Sequence, residues 1–392
     1  MRAAVLTESD PNNMYAFSGT VFFALRELAQ RSDHFVCYLV GDRGNSLKFF
    51  LRQLRLFWTQ RSLRQPRIEI RYFRHLDKKS ILKTLDRDGI DILYNFVFSE
   101  DDGICAEASV PIVYLSDGTY AVTRGLFSEP RPRTEEMRRA KEFSERRMIL
   151  SADLCLFSSE WAARSAVTDY GRSAEDVKVV RYGANLNVIP NALEVSNVAR
   201  FKPKDAPTIL LIGKGGSDRF EEKVGPAIEA VEELRRSMPS ARLLIVGFSD
   251  VDRKTIPDYV DLMPFVSKQS KLGQLQLAEI YRQADVFFLP TSADCTPIVL
   301  CEAMAFGLPI VSTRVGGIAD YVVEGRNGYT LELGSSRLQL AAALQAVLQD
   351  RVVYQRLALK SRQMFEEEFN WREFGNRVSD LVHERWLDGA SG

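Results

Sequence analysis

Along both halves of the chain, short apolar runs alternate with amphipathic helical stretches, and this alternation narrows the possible folds more than any other feature. Such a pattern makes parallel strands joined by crossover helices, in sheets covered on both faces. In the first half the runs fall at 3–6, 35–40, 68–72, 92–96, 112–115, 154–157 and 177–180. In the second they fall at 208–213, 242–246, 260–263, 286–289 and 309–312. At 392 residues the chain exceeds the size at which one core keeps growing, so two domains are expected. The segment 198–207 is polar and broken by Pro203 and Pro207, which makes it the linker between a domain at 1–197 and one at 198–370. The stretch from about 371 to 392 is helical in pattern.

Within the second half, one segment also carries chemistry. Asp294-Cys295-Thr296-Pro297-Ile298-Val299-Leu300-Cys301-Glu302 opens a helix, and Gly307 and Pro309 close it. Thr296 is expected as the N-cap and Pro297 as the first helical residue. Unpaired backbone N–H groups and the positive end of the helix dipole gather there, and both favour a phosphate. Asp294 before the helix and Glu302 inside it add two acceptors for hydroxyl groups. Phosphate joined to hydroxyl-rich rings is the chemistry of a sugar nucleotide.

This segment, with Pro309-Ile310-Val311-Ser312-Thr313-Arg314-Val315-Gly316-Gly317-Ile318 and Glu324-Gly325-Arg326-Asn327-Gly328-Tyr329, resembles the paired-acid motif of glycosyltransferase family 4, the retaining GT-B transferases also known as glycosyl transferases group 1. The resemblance implies an α/β GT-B fold: two Rossmann-like parallel-sheet domains face each other across a cleft, and the C-terminal helix crosses back to the first. It also implies that Glu302 meets the nucleotide ribose and Asp294 the donor sugar, with Pro297, Ile298 and Val299 at the diphosphate. The family usually has glutamate where Asp294 stands, so this side chain is one methylene shorter. In the same way Lys223 falls where the family has a Lys-Gly pair, with Val224 in place of the glycine. A lysine there offsets charge developing on the leaving diphosphate. Lys214 and Arg219 are the candidates for a second basic residue. All three stand at the entrance of a helix expected from Pro226, where solvated surface charge is the alternative.

The first domain is expected to bind the acceptor. Its first strand runs into a loop ending Phe17-Ser18-Gly19-Thr20, where Gly19 permits close backbone approach to a ligand and Thr20 caps the next helix. This resembles the family's glycine-bearing loop and makes Gly19 a donor-binding candidate and Ser18 and Thr20 acceptor-binding candidates; a plain loop cap is the alternative. Asp117, in Asp117-Gly118-Thr119-Tyr120, follows a buried strand, where open α/β sheets place ligands, and either accepts from an acceptor hydroxyl or caps a turn. Ser158-Ser159-Glu160-Trp161 and Arg181-Tyr182-Gly183-Ala184-Asn185 stand at further strand ends, with Trp161 open between core and platform. His34, His75 and His383 lie in no acid–base setting, which favours a retaining reaction, since an inverting enzyme usually needs a positioned base.

The expected activity is transfer of a hexose-type sugar from a nucleotide-diphosphate sugar to a glycan, glycolipid or small-molecule acceptor, in cell-surface polysaccharide or glycoconjugate biosynthesis. The nucleotide sugar is a co-substrate; no resident cofactor and no metal is expected. An inactive GT-B-like carbohydrate-binding protein and a GT-B sugar-nucleotide epimerase are the alternatives. A nicotinamide oxidoreductase is disfavoured, because Gly213, Gly215 and Gly216 do not space as GxGxxG. Zero formal net charge argues against a general polyanion binder, so no nucleic acid partner is expected. Five cysteines without a CxxC pair indicate neither a disulfide frame nor a thiolate zinc site. No apolar run approaches the ~20 residues of a membrane span, and the N-terminal run is too short for a signal peptide, so a cytoplasmic protein is expected. The segment 44–68 is basic and amphipathic, with Leu47, Phe50, Leu51, Leu54, Phe57 and Trp58 on one stripe. It suits either core packing or peripheral contact with an anionic inner membrane face.

Overall fold

A computed structural model describes residues 1–14, 16–40, 68–73, 77–96, 103–127, 134–201, 206–215, 220–248, 251, 254 and 256–386. The chain divides into one compact unit of Met1–Arg181 with Trp371–Gly392, and a second of Tyr182–Asn370. Residues 182–197, grouped with the first domain in the sequence reading, count with the second unit. Ala184 and Leu186 are buried in its core, the Tyr182 N–H donates to Tyr321, and the Asn187 N–H donates to Gln274 at 3.0 Å. The expected linker is helical through Phe201, at the end of the helix Ala192–Phe201, and 202–205 lie outside the described residues. So does 44–67, nearly all of the amphipathic segment.

The first unit holds a parallel sheet of β1 (Arg2–Thr7), β2 (His34–Val40), β3 (Glu69–Phe73), β4 (Ile92–Phe96), β5 (Ile112–Ser116), β6 (Leu154–Phe157) and β7 (Val177–Val179) in the order 3-2-1-4-5-6-7. The second holds β8 (Thr208–Gly215), β9 (Arg242–Phe248), β10 (Val260–Met263), β11 (Val286–Leu289), β12 (Ile310–Thr313) and β13 (Gly328–Leu331) in the order 10-9-8-11-12-13. Every apolar run read from the sequence is a strand. β13 was not anticipated: it is short, opens on glycine and is only half-buried beyond it.

Period-two alternation explains why both faces of the second sheet are covered. Leu210, Leu244, Val246, Phe287 and Ile310 point into one core, and their neighbours Ile209, Leu211, Leu243, Ile245, Phe288 and Val311 into the other. Val224, where the family resemblance leads one to expect glycine, is fully buried in this second core, so its side chain serves packing.

The C-terminal helix Trp371–Trp386 belongs to the first unit, as the resemblance implied. Its buried face is Trp371, Phe374, Gly375, Val378, Leu381 and Val382, and Trp371 stacks on Phe23 of the helix Thr20–Gln30. Arg31 fixes the register by donating to the Arg372 carbonyl at 2.9 Å and Asn376 Oδ1 at 2.7 Å. A Cβ on Gly375 would lie 2.5 Å from the Arg31 guanidinium, so glycine leaves room for that side chain.

Candidate active site

Parallel strands bring their carboxyl ends to one edge, and in this strand order the chain reverses direction across the sheet beside the first strand of each unit. There the neighbouring loops diverge and leave a crevice. In the second unit this switch point lies between β8 and β11. At the opposite, amino ends of these strands Asp285 ties them together, its carboxylate accepting from the Thr208 N–H at 2.8 Å. β8 delivers Lys214 to the carboxyl edge and β11 delivers the loop carrying Asp294.

The Asp294 loop is held by its neighbours. Ser312 donates to the Leu289 carbonyl at 2.7 Å, Thr313 to the Thr291 carbonyl, and the Gly317 N–H to the Cys295 carbonyl at 2.9 Å. Gly316 has a left-handed backbone (φ 53°), and a Cβ there would sit 1.8 Å from the Asp294 carbonyl oxygen. Glycine is therefore required where the two loops touch. Asp294 itself is half-buried.

The helix beyond it is Ile298–Ala305, one residue later than expected. Pro297 takes the cap position with φ −72° and ψ 104°, and its side chain makes no cap bond. Thr296 is buried just outside. Proline's fixed φ suits either position, but its ψ here is extended, which places the helix boundary after it. Proline has no side-chain oxygen to cap the helix start from that position. Ile298 is buried and Val299 half-buried at that start.

Glu302 is fully buried, and both carboxylate oxygens are engaged. Tyr281 O–H donates to Oε2 at 2.8 Å, and the Lys268 ammonium is bonded to Oε1. Burial and the adjacent carboxylate push the Tyr281 phenol far up, so it stays a donor. Lys268 retains 17% side-chain exposure, so the pair reaches solvent through the lysine. The lysine's backbone is fixed from the next helix, Lys271–Gln283: Gln274 donates to the Lys268 carbonyl at 2.7 Å, and Ser270 caps the helix through the Gly273 N–H. A Cβ on Gly273 would lie 1.9 Å from the Ser267 carbonyl. Neither Lys268 nor Tyr281 was singled out from sequence, because their link to Glu302 exists only in three dimensions. The one local hint was a lysine shortly past the end of β10.

Lys214 is exposed at the end of β8, with its ammonium 5.7 Å from the centroid of the Phe265 ring. The next helix spans Phe220–Leu234 rather than opening at Pro226, which lies within it. Lys223 is thus in its first turn, not ahead of it. Its side chain, and all of Arg219, lie outside what the structure describes.

In the first unit the switch point lies between β1 and β4. The loop after β1 carries consecutive left-handed residues, Phe17 (φ 47°), Ser18 (φ 56°) and Gly19 (φ 94°). For the two non-glycine residues this stores about 1–3 kcal/mol each, and such strain clusters at ligand sites. Gly19 occupies the cap position of Thr20–Gln30 and Thr20 is the first helical residue, so Thr20 does not cap it. Asp117 follows β5; burial of its carboxyl pushes it up to about 6, against the pull of its own backbone N–H, although part of the residue meets solvent. Ser159 caps the helix Glu160–Thr168, and Trp161 packs on the core. Among the described residues, no helix is long and apolar enough to cross a membrane.

Residues 206–350 match the family model of "Glycosyl transferases group 1". A glycogen synthase of Mycobacterium tuberculosis is 29% identical over 205 residues, 50% of this chain and 48% of the relative. The chain thus spans about half the length of that relative. A D-inositol 3-phosphate glycosyltransferase of Paenarthrobacter aurescens is 27% identical over 295 residues, 72% of this chain and 68% of the relative. Among solved structures, Anabaena Alr3699/HepE in complex with UDP and glucose superposes with a TM-score of 0.61 at 16% identity, covering 98% of this chain and 100% of that one. The two parallel-sheet units have the GT-B fold.

Proposed function

We propose, from the premise that residues 206–350 belong to the glycosyl transferases group 1 family, that the protein is a retaining glycosyltransferase acting from a nucleotide-diphosphate sugar. One observation supports the reading: in the segment after β11, beside the switch point of the second sheet, Asp294 precedes the helix Ile298–Ala305 and Glu302 lies within it. Backbone N–H groups of Ile298 and Val299, with Pro297 shaping the entrance, receive the diphosphate. Asp294 takes donor-sugar hydroxyls. Ribose hydroxyls meet Glu302 by competing with Lys268 for Oε1, which gives the buried carboxylate a route to a ligand. Lys223, supported by Lys214 and Arg219, offsets the charge on the departing diphosphate.

The first unit takes the acceptor, with Ser18 and Thr20 on the strained loop and Asp117 accepting a hydrogen bond from the acceptor hydroxyl. Although burial pushes it up to about 6, this carboxyl is still ionised at neutral pH, so it holds the hydroxyl by a hydrogen bond and does not itself take the proton. Transfer proceeds on one face through an oxocarbenium-like transition state, the leaving phosphate taking the acceptor proton. The acceptor is a glycan, glycolipid or small hydroxylated molecule of cell-surface glycoconjugate synthesis, and the enzyme works in the cytoplasm or at the inner membrane face.

The test is release of nucleoside diphosphate from a panel of sugar nucleotides, with and without candidate acceptors. One donor is expected to turn over with retained anomeric configuration. Tight binding of a donor with no turnover under any acceptor would instead leave a carbohydrate-binding protein.

A further inference from the structure

Phe17 carries two unfavourable features at once. Among the described residues, it and Ser18 are the only ones other than glycine with a left-handed backbone, at φ 47° and 56°. For so bulky a side chain that conformation is an outlier, whereas glycine and asparagine enter it readily. Phe17 is also 49% exposed, which leaves much of an apolar ring in water. Strain of this kind persists where the surrounding structure enforces it, and it concentrates at ligand sites.

What enforces it here is the helix that follows. Thr20, Val21, Phe22, Phe23, Ala24 and Leu25 are all buried, and Phe22 meets Phe23 edge-on with ring centroids 5.1 Å apart. The core holds that helix start on every side, and the left-handed run before it leaves Phe17 at the surface.

The position of the ring indicates its use. The turn closes the loop after β1, at the switch point between β1 and β4, on the edge where α/β sheets present ligands. Ser18, next in the chain, is exposed. Asp117 follows β5, two strands from β1 and so about 10 Å across the sheet. A flat aromatic face on the same edge as a hydroxyl and a carboxylate matches the chemistry of a saccharide ring. The C–H groups on one face of such a ring are apolar and slightly positive, and suit the negative face of an aromatic, while its hydroxyls take the hydrogen bonds. An open-chain polyol has the hydroxyls without the flat face.

We propose that Phe17 is a platform on which a pyranose ring of the acceptor stacks, so that the group recognised by the first unit is a cyclic sugar. The word acceptor rests on the transferase reading; the binding of a ring does not.

Ligand-observed NMR of the full chain, without nucleotide sugar, tests this with methyl glucopyranoside, methyl galactopyranoside and sorbitol. All three are rich in hydroxyls, and sorbitol has no ring. One or both glycosides should bind at millimolar concentration, at least about 5-fold more tightly than sorbitol. Phe17→Tyr keeps the flat face and should keep the binding. Phe17→Leu keeps an apolar side chain without that face and should weaken binding at least about 5-fold. Phe17→Gly should lose the binding and leave Tm unchanged or higher, because glycine makes the turn without strain. Sorbitol binding as tightly as the glycosides, no binding by either glycoside, or full binding by Phe17→Leu would each overturn the proposal. A lowered Tm in Phe17→Gly with ring binding intact would assign the residue to packing and overturn it as well. Ring binding weakened by Phe17→Leu, in a protein that turns over no sugar nucleotide, would keep the platform and sink the transferase reading; turnover with an acceptor KM unaltered by Phe17→Leu would do the reverse.

Discussion

Glu302 shows how a residue singled out for ligand binding also becomes part of the scaffold. Its carboxylate holds a buried phenol and a nearly buried ammonium, so Glu302→Ala strands both. The expected loss is about 3–5 kcal/mol, read from urea unfolding. A weakened donor affinity in that variant would thus be ambiguous. Glu302→Gln keeps an acceptor for Tyr281 and the side-chain volume, and is expected to weaken nucleotide-sugar binding about 10-fold at a much smaller stability loss. Asp117 is the opposite case, a residue that costs stability. Because its folded pKa is raised to about 6, the fold favours the protonated form. That contribution is complete below the ordinary carboxylate range and disappears as pH rises through about 6. Relative to wild type, Asp117→Asn should therefore gain about 1–2 kcal/mol at about pH 7.5, an estimate discounted for partial solvent contact, and gain nothing at about pH 4. Unfolding at the two pH values checks the sign. If the ionised Asp117 carboxylate holds the acceptor hydroxyl, the same variant loses turnover, and wild-type kcat/KM falls below pH about 6.

Secondary-structure elements were the most legible part of the molecule. Short apolar runs marked the observed strands because period and length are local properties of the sequence. β13 escaped for the same reason, since Gly328-Tyr329-Thr330-Leu331 has neither a fully buried run nor a strict alternation. Helix starts differ from the sequence expectation by one residue at Pro297 and by six at Phe220–Leu234, where Pro226, the expected opening, lies inside. The paired acids were legible because they are close in sequence. Lys268 was not, because it reaches Glu302 only through the packing of Ser267 and Gly273. That contact yields a prediction: Gly273→Ala places a Cβ 1.9 Å from the Ser267 carbonyl, so the loop carrying Lys268 must move. Donor KM is expected to rise with little change in kcat, measured by initial rates across donor concentration.

At the scale of the whole molecule, the first unit is completed by the last helix of the chain. Removing 371–392 uncovers Phe23 and the face of the helix Thr20–Gln30 on which Trp371 and Phe374 pack. Hydrogen exchange is expected to accelerate in Thr20–Gln30 and β1 while β8 through β12 keep their protection. On the proposed assignment, substitutions in the two units are expected to separate donor from acceptor effects. The most direct measurement of the central assignment is nucleoside diphosphate release by wild type and Asp294→Asn, with donor and acceptor saturating. Asp294→Asn is expected to fold normally and to lose at least about 100-fold in kcat, on the scale of removing one transition-state contact. Wild-type rates in Asp294→Asn would contradict the placement of the donor sugar at this helix.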